Sequence, residues 1–312
     1  MSSILTITLN PAIDKSYEVD HLEPDHKLRC PNPQVDAGGG GINVARGIFR
    51  LGGEARAFLV AGGHNGDYLQ ELLGSEKIPV EVFGAGGETR ESIMVVDRST
   101  RRQYRIVAEG PTLSADHASG IIAMLASLDP FPSIVVASGS LPKGLPEDYY
   151  AAIAALVRSK GGKFILDTGG NALKQALAGG VTLIKPNLRE LSALAGREEL
   201  ELEEVEDAAM GLIRQGSCEM VVVSLGSAGA MWVTKDGHRQ LPAPTVKRLS
   251  TVGAGDSMVA GMVWSMQQGR SLDECVAMGV ACGTAATMNP GTQLFRREDA
   301  MRLYQWVIRQ KK

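Results

Sequence analysis

The sequence predicts an α/β protein with a mostly parallel central sheet covered by helices on both sides, together with a second, small β-sheet. The C-terminal half predicts the central sheet, because short apolar strands alternate with helical patterns, as in residues 134–137, 147–159 and 164–166. Residues 92–96 and 103–107 predict the small sheet, because they are short alternating segments separated by turn residues.

The chain opens with an alternating segment, residues 4–9, which predicts a first strand. The residues before it lack the basic and then apolar pattern of a signal peptide, and no apolar run approaches the roughly 20 residues of a membrane-spanning helix. We therefore expect a cytoplasmic protein with no membrane partner.

The alternation of strands and helices continues through the second half of the chain. Asp236-Gly237 has the turn chemistry of a two-residue hairpin after a strand at residues 231–233, so the sheet is expected to become mixed at that edge. The remaining predicted elements are strands at residues 182–184 and 220–223 and helices at residues 203–215, 256–268, 272–288 and 297–309.

Two stretches of the N-terminal half predict a lid. Residues 14–36 and 90–108 each leave and re-enter the α/β body as hairpin-like insertions, so we expect them to form one discontinuous β lid. The body then comprises residues 1–13, 37–89 and 109–312. An exposed edge or face on such a lid favours self-association, so a homodimer through the lid is expected.

Composition and charge exclude several classes of function. The 312 residues are 44% hydrophobic, which is enough for a large core. A total of 32 Lys and Arg against 35 Asp and Glu gives a net charge of -3, without the broad positive field that nucleic acid requires. The four cysteines show no CxxC or metal-ligand spacing and are expected to be reduced and structural.

A run of four glycines, Gly38 to Gly41, leads directly into a helical segment. Unencumbered backbone N–H groups at such a helix start can approach a polar ligand. Because a tight strand-to-helix turn also uses glycine, the run by itself leaves both interpretations open.

The segment from Thr251 to Ser257 carries a stronger signal, because small residues lead there into a helix that starts with a carboxylate. The amides of residues 253–256 would stabilise negative charge on a transferred phosphoryl group, while Asp256 accepts a proton from the attacking hydroxyl. The alternative makes Asp256 a simple helix N-cap. Neither a Walker loop, nor a dinucleotide fingerprint, nor a Ser-His-Asp grouping occurs, which leaves those readings unsupported.

These motifs together resemble the ribokinase-like (PfkB) carbohydrate kinase family. They follow the family's order along essentially the whole chain: Asp14 after Thr8-Leu9-Asn10-Pro11, the glycine run with Asn43, Lys185 to Glu190, and Thr251 to Asp256. The resemblance implies a ribokinase-like three-layer α/β/α domain with a small β-sheet lid. It also implies an ATP-dependent kinase that uses Mg²⁺, with Asp256 as the base and Gly253, Ala254 and Gly255 as the anion hole.

The resemblance implies roles for further residues. Sugar hydroxyls are expected at Asp14, Gly39 and Asn43, and the phosphate already on the sugar at Lys27, Arg90 and Ser140. The residues expected to contact ATP are Lys185, Asn187, Ser224, Gly226, Ser227, Gly229 and Thr284. Those expected to hold metal ions are Asn187 and Glu190 for Mg²⁺, and Ser250, Val252, Ala286, Asn289, Gly291 and Gln293 for K⁺.

Within the family, the glycine run and residues 27–30 are most similar to members that phosphorylate fructose 6-phosphate. The expected reaction is therefore transfer of the γ-phosphoryl group of ATP to the 1-hydroxyl of this sugar. Members that act on tagatose 6-phosphate or fructose 1-phosphate usually carry Lys where this chain has Gly40, and both substrates stay open as alternatives. Two further departures from relatives are Gln293, in place of Arg, and Lys143, in place of Pro.

Two other functions fit the same scaffold. A nucleoside kinase would leave the paired Lys27 and Arg90 without a phosphate to bind. A catalytically silent sugar-phosphate sensor would have no use for Asp256 together with Asn187 and Glu190.

Overall fold

The structure, a computed structural model, describes residues 3–310. Within these residues, thirteen strands form two separate sheets, one of nine strands and one of four. The strands are β1 Ile4–Thr8, β2 Ala12–Val19, β3 Gln34–Gly38, β4 Arg56–Ala61, β5 Val80–Gly84, β6 Arg90–Asp97, β7 Arg102–Val107, β8 Ile134–Ser138, β9 Lys163–Asp167, β10 Val181–Ile184, β11 Cys218–Ser224, β12 Ala230–Thr234 and β13 Gly237–Leu241.

The nine-stranded sheet has the order β13-β12-β11-β10-β9-β8-β1-β4-β5. Its strands are parallel from β11 to β5, whereas β12 and β13 pair antiparallel at one edge. The predicted mixed edge is confirmed, although its turn lies one residue earlier than expected. Thr234 pairs with Gly237, so Lys235 and Asp236 form the turn.

The helices cover both faces of this sheet, because its central strands are apolar on both sides. In β8, which is buried throughout, Val135 and Val136 point to opposite faces and pack into different apolar clusters. The helices are α1 Gly40–Arg50, α2 Gly63–Ser75, α3 Ala115–Ala126, α4 Tyr149–Ser159, α5 Gly170–Ala176, α6 Leu188–Leu194, α7 Val205–Arg214, α8 Ala254–Gln267, α9 Leu272–Thr287 and α10 Arg297–Arg309.

Each apolar cluster lies between the central sheet and one set of helices. Helices α1, α2, α8, α9 and α10 contribute to one cluster, and α3 to α7 contribute to the other. The three-layer architecture is therefore confirmed. In the part of the chain that the structure describes, no helix is long and apolar enough to cross a membrane.

The helix bounds differ from the predicted ones by two residues at most, and one difference changes an interpretation. The helix expected at residues 256–268 begins at Ala254, because Gly253 adopts a left-handed conformation with φ 73° and is the N-cap. Asp256 is the third residue of α8, so the alternative of a simple N-cap is wrong.

The four-stranded sheet has the order β3-β2-β6-β7 and contains strands from both predicted insertions. It begins at Ala12 and takes in Gly38, so it extends two residues beyond each end of the first predicted insertion, residues 14–36. Strand β7 is exposed at every position. The division into a body and a lid stays a prediction.

Candidate active site

The carboxyl ends of the adjacent strands β8 and β9 open into a cavity of about 530 Å³. In open parallel sheets, ligands bind outside the carboxyl ends of the strands. The starts of α1, α6 and α8 reach the same cavity. Its lining residues are Gly40, Ser138, Gly139, Ser140, Leu141, Asp167, Thr168, Gly169, Ala172, Glu190 and Asp256.

Asp256 is held at the cavity by two hydrogen bonds. Asn43 on α1 donates from Nδ2 to Oδ2 of Asp256 at 2.9 Å, and the Ser138 hydroxyl donates to Oδ1 at 3.2 Å. Glycine at position 40 makes room for this arrangement, because a Cβ there would lie 2.1 Å from Oγ of Ser138. The carboxylate is thus fixed from two separate elements.

Burial raises the pKa of Asp256 from 3.8 to about 6, and the nearby Asp167 carboxylate acts in the same direction. The hydrogen bonds from Asn43 and Ser138 and the charge of Lys185 limit the rise. A carboxylate with a raised pKa is a better proton acceptor and is still ionised at neutral pH. The electrostatics of the site therefore suit a general base.

The start of α8 presents free backbone donors beside this base. Within residues 3–310, the amide N–H groups of Gly253, Gly255 and Asp256 have no hydrogen-bond partner, and α8 has no side-chain cap. Such N–H groups form a binding site for negative charge, which the helix dipole strengthens. Ala254 differs, because its amide donates to the Thr251 carbonyl at 3.4 Å.

A buried ion pair adjoins the same glycines. Nζ of Lys185, which follows β10, lies 3.2 Å from Oδ1 of Asp167 at the end of β9, and a Cβ on Gly255 would lie 3.5 Å from this Nζ. Burial opposes the charged form of Lys185, but the Asp167 carboxylate, together with the charges of Asp256 and Glu190, raises its pKa. Lys185 therefore carries a fixed positive charge beside the helix start.

Sequence reasoning missed Asp167 and Ser138. Both end a buried strand of the central sheet, at the edge where parallel sheets bind ligands. A polar residue closing an apolar run, as Asp167 closes residues 164–166, was the signal that could have found them.

Asn187 and Glu190 form the capping box expected at the start of α6. The Asn187 side chain accepts a hydrogen bond from the backbone N–H of Glu190 at 2.9 Å, and the Glu190 carboxylate accepts one from the backbone N–H of Asn187 at 2.9 Å. Glu190 also lines the cavity, as Asp167 does. Among the described residues, no group of three or more Asp, Glu, His or Cys side chains could hold a metal ion by itself. Two carboxylates still suit Mg²⁺, because this ion usually keeps several waters and binds substrate phosphates with one or two protein carboxylates.

The predicted nucleotide loop is the tight connection between β11 and β12. Ser224 lies beside Asn187 through an isolated bridge, which joins the loop to the start of α6. Gly226 and Gly229 have positive φ values of 59° and 98°, and a Cβ on Gly229 would lie 2.0 Å from the Leu241 carbonyl oxygen. Packing therefore requires glycine at position 229. Ser227 lies in the turn, and Thr284 lies half-buried on α9.

The residues predicted to hold K⁺ come from two parts of the chain, the segment before α8 and the end of α9 with the loop that follows it, and hydrogen bonds connect them. The Ser250 hydroxyl donates to the Gly291 carbonyl at 3.0 Å and accepts from the Val252 amide at 3.2 Å, and the Asn289 amide donates to the Ala286 carbonyl at 3.1 Å. Carbonyl and hydroxyl oxygens gathered in this way are suitable ligands for a monovalent cation. The Gln293 side chain instead contacts Gln34 on β3 at 3.4 Å.

The small sheet carries Asp14, which is predicted to bind a sugar hydroxyl. Asp14 on β2 lies so close to β3 that a Cβ on Gly38 would be 2.4 Å from its carboxylate. Burial raises the pKa of Asp14 to about 6, against the opposite effects of Arg90 and Arg105. Gly39, with φ 127°, is the N-cap of α1 and connects this sheet to the helix that carries Asn43.

Of the three residues predicted to bind the sugar phosphate, the structure brings Arg90 and Ser140 close to each other and places Lys27 in an exposed connection. Arg90 donates from Nε and Nη2 to the Asn10 carbonyl at 3.3 and 3.0 Å, so one edge of its guanidinium is already used. Asn10 also donates from Nδ2 to Ser140 at 3.3 Å, which brings Arg90 and Ser140 together. Lys27 lies exposed between β2 and β3 and has no ion pair or hydrogen bond within residues 3–310.

A desolvated carboxylate, free helix amides and a buried lysine around one cavity suit the transfer of a phosphoryl group to a hydroxyl. The fold and the site together define a phosphotransferase of the kinase type. The pfkB family carbohydrate kinase profile matches residues 4–299, and the chain belongs to this family.

Individual relatives agree with this family. The chain is 40% identical over 310 residues to the ATP-dependent 6-phosphofructokinase isozyme 2 of Escherichia coli (strain K12), covering 99% of this chain and 100% of that protein. A crystal structure of phosphofructokinase-2 from Escherichia coli in complex with potassium has a TM-score of 0.93 at 40% identity, covering 99% of this chain and 100% of that one. A structure of the same enzyme in complex with fructose-6-phosphate has a TM-score of 0.91 at 38% identity, with the same coverage.

Proposed function

We propose that this protein transfers the γ-phosphoryl group of ATP to the 1-hydroxyl of fructose 6-phosphate and so forms fructose 1,6-bisphosphate. The observation that carries the proposal is Asp256, held by Asn43 and Ser138 at the cavity and adjacent to the free amides of α8. The Escherichia coli relative, matched over its whole length, is named a 6-phosphofructokinase and has a structure with fructose-6-phosphate, which supports this substrate.

In the proposed mechanism, ionised Asp256 accepts the proton of the 1-hydroxyl as its oxygen attacks the γ-phosphorus. The amides of Gly253, Gly255 and Asp256 stabilise the negative charge on the phosphoryl oxygens. Lys185 adds a fixed positive charge beside them. Closure of the small sheet over the cavity would exclude water and limit hydrolysis of ATP.

Asp167 and Glu190 are the residues that would hold Mg²⁺, directly or through water, with Asn187 beside them. When bound, Mg²⁺ supplies neutralisation of the nucleotide phosphate charge. The nucleotide itself is assigned to Lys185 and to the connection from Ser224 to Gly229, with Thr284 on α9 toward the adenine.

For the sugar, Asp14, Asn43 and the Gly39 backbone are assigned to its hydroxyls. Arg90 and Ser140, linked through Asn10, are assigned to its 6-phosphate. Lys27 would bind the same 6-phosphate only if the β2–β3 connection moved toward the cavity of its own subunit or reached the cavity of a second subunit.

Two further assignments follow from the same proposal. The oxygen-rich loop from Ser250 to Gly291 would hold K⁺, as a structure of the Escherichia coli relative in complex with potassium supports. A homodimer through the small sheet would cover the exposed strand β7. A location in the cytoplasm would give the enzyme access to ATP and sugar phosphates.

A purified-protein assay tests the proposed function. ADP release is followed with ATP, Mg²⁺ and either fructose 6-phosphate, tagatose 6-phosphate, fructose 1-phosphate or a nucleoside. We expect the highest kcat/KM with fructose 6-phosphate and a bisphosphate product by ³¹P NMR. A higher kcat/KM with another sugar phosphate would overturn the substrate, and no sugar-dependent ADP release would favour a silent sensor.

A further inference from the structure

The carbonyl oxygen of Gly139, at the edge of the cavity, accepts two side-chain hydrogen bonds. The Tyr150 hydroxyl donates to it at 2.9 Å, and the Thr168 hydroxyl donates to it at 2.9 Å. The backbone N–H of Gly139 donates to the Asp167 carbonyl at 3.0 Å. Both polar groups of this residue are therefore tied, the carbonyl to α4 and to the residue after β9, and the N–H to the end of β9.

These hydrogen bonds set the orientation of the Gly139 backbone, because strand pairing no longer does. The paired residues of β8 and β9 end at Ser138 and Asp167. Gly139 has φ 108°, a value that L side chains rarely adopt and that glycine reaches at little cost. A glycine beyond the last strand pair has many accessible conformations, so the contacts of its carbonyl and N–H select one of them.

Ser138, the residue before Gly139, depends on this orientation. Its hydroxyl donates to Oδ1 of Asp256 at 3.2 Å, which is longer than the roughly 2.5–3.0 Å of ordinary hydroxyl hydrogen bonds. The start of α1 packs against the same peptide, because a Cβ on Gly40 would lie 2.9 Å from the Ser138 carbonyl carbon. A small shift of this peptide would therefore break the hydrogen bond to Asp256 or displace the helix that carries Asn43, its other partner.

Tyr150 is suited to hold the Gly139 carbonyl in every state of the reaction. It is fully buried, and burial, together with the Asp167 charge, raises the pKa of its hydroxyl, which therefore stays protonated and remains a donor. Tyr150 does not line the cavity that the described residues form. Any effect of its hydroxyl on the reaction therefore passes through Gly139.

We infer that Tyr150 is a positioning residue for the base. With Thr168, it fixes the Gly139 carbonyl. The Ser138 hydroxyl, one residue earlier, is thereby kept directed at the Asp256 carboxylate. This inference rests on the proposed function, in which Asp256 accepts the proton, and it extends the support of the base to helix α4.

The test compares Tyr150→Phe with the matched control Tyr149→Phe. The two tyrosines are neighbours at the start of α4, and both are buried. Each hydroxyl donates to a backbone carbonyl, but that of Tyr149 reaches Ala118 on α3, at 2.6 Å. Both variants therefore lose a buried hydrogen bond of the same kind, and only Tyr150→Phe loses it beside the cavity.

For Tyr150→Phe we expect kcat to fall about three- to tenfold, the scale of losing one hydrogen bond, with KM for each substrate within about twofold of the original. The acid limb of kcat/KM should move to higher pH, because the Ser138 hydrogen bond lowers the pKa of Asp256 and its loss removes that effect. The other groups that act on this carboxylate are the same in both variants: Asn43, Lys185 and Asp167.

Two further variants test the route through Gly139. Thr168→Val removes the second donor to the same carbonyl, so it should change kcat and the acid limb in the same direction. Ser138→Ala already lacks the hydrogen bond to Asp256. In that background Tyr150→Phe should change kcat by less than about twofold, because residues that act through one contact are not additive.

The outcomes separate this inference from the proposed function. An unmodified protein that phosphorylates no sugar phosphate would overturn the proposed function. An active protein whose kcat and acid limb are unchanged in Tyr150→Phe and in Thr168→Val would overturn only the role of Tyr150. An equal fall of kcat in Tyr149→Phe, or the full fall in the Ser138→Ala background, would show a general structural effect and would also overturn it.

Discussion

The two sides of the site are built differently. On the body side, Asp256, Lys185, Asp167 and Glu190 are connected to one another or to neighbouring backbone, so their positions are fixed before any ligand binds. On the small sheet, Lys27 and Arg105 are exposed and have no partner among the described residues. The proposed phosphoryl-transfer site is thus preorganised, whereas the proposed sugar-phosphate side has exposed charges that a bound anion would neutralise.

This difference follows from what each side must do. Stabilising a transition state requires donors that do not reorganise during the reaction, which a buried hydrogen-bonded frame provides. Admitting a substrate requires a side that opens, and a separate sheet whose edge strand β7 is exposed at every position is suited to move. The following predictions test the contrast, from the largest expected effect to the smallest.

Asp256→Asn should lower kcat by about 10²-fold or more, because a positioned base contributes on that scale. Asparagine has nearly the same shape and can keep contacts with Asn43 and Ser138, so binding of fructose 6-phosphate should be retained. Steady-state kinetics and calorimetric titration measure the two quantities. Near-normal turnover in this variant would remove the mechanism.

The melting temperature of Asp256→Asn is the control that shows whether the substitution damages the fold. The folded-state pKa of Asp256, about 6, exceeds its ordinary 3.8, so the folded state binds this proton more tightly and loses stability as pH rises through this range. Removing the carboxylate should therefore raise the melting temperature at pH 8 by about 2 to 5 °C, and less at pH 5. A lower melting temperature would mean that the loss of activity reflects a damaged fold.

The activity of the unmodified protein should fall on the acid side. Because Asp256 acts in its ionised form and its pKa is about 6, kcat/KM should decrease about tenfold per pH unit below that value. Asp14 has a pKa raised to a similar value, so a requirement for its ionised form in sugar binding would steepen the limb to as much as about a hundredfold per pH unit. A pH profile that stays flat from pH 7 to 5 would contradict the assignment of a desolvated carboxylate base.

Glu190→Gln should raise the Mg²⁺ concentration for half-maximal activity by about tenfold, a scale typical for residues that orient a bound metal. Glutamine can still accept from the Asn187 amide, so the capping box and the start of α6 should remain. Mg²⁺ titrations at fixed ATP measure the effect. An unchanged Mg²⁺ requirement would separate Glu190 from the metal.

The substitution Ile106→Thr tests whether the small sheet forms a dimer interface. Among these predictions it has the smallest expected effect on the stability of a single subunit. Ile106 is 63% exposed on β7, so its replacement should change the free energy of unfolding of one subunit by no more than about 0.5 kcal/mol. If β7 forms the interface, the variant should nevertheless shift from dimer to monomer in light scattering at micromolar concentration. A monomeric unmodified protein, or an assembly that the variant does not weaken, would contradict the lid interface.

Local patterns predicted most of the fold. Apolar alternation located the strands around Ile4 and Val135, and the last helix has the predicted bounds, Arg297–Arg309. The predicted helix bounds were less accurate where a special backbone conformation decides them. At Gly253 the left-handed φ makes α8 begin two residues before the predicted start. Asp256 and the capping box of Asn187 with Glu190 were predictable because each is signalled by residues close together in the chain.

The sequence by itself determined the three-layer class and the residue types of the phosphoryl-transfer site, since periodicity and short glycine motifs are local properties. Only the tertiary structure decided the partners of those residues. Asn43 and Ser138 reach Asp256 across 213 and 118 positions of the chain. Burial and neighbouring charges, which set the pKa of Asp256, exist only after such distant segments pack together.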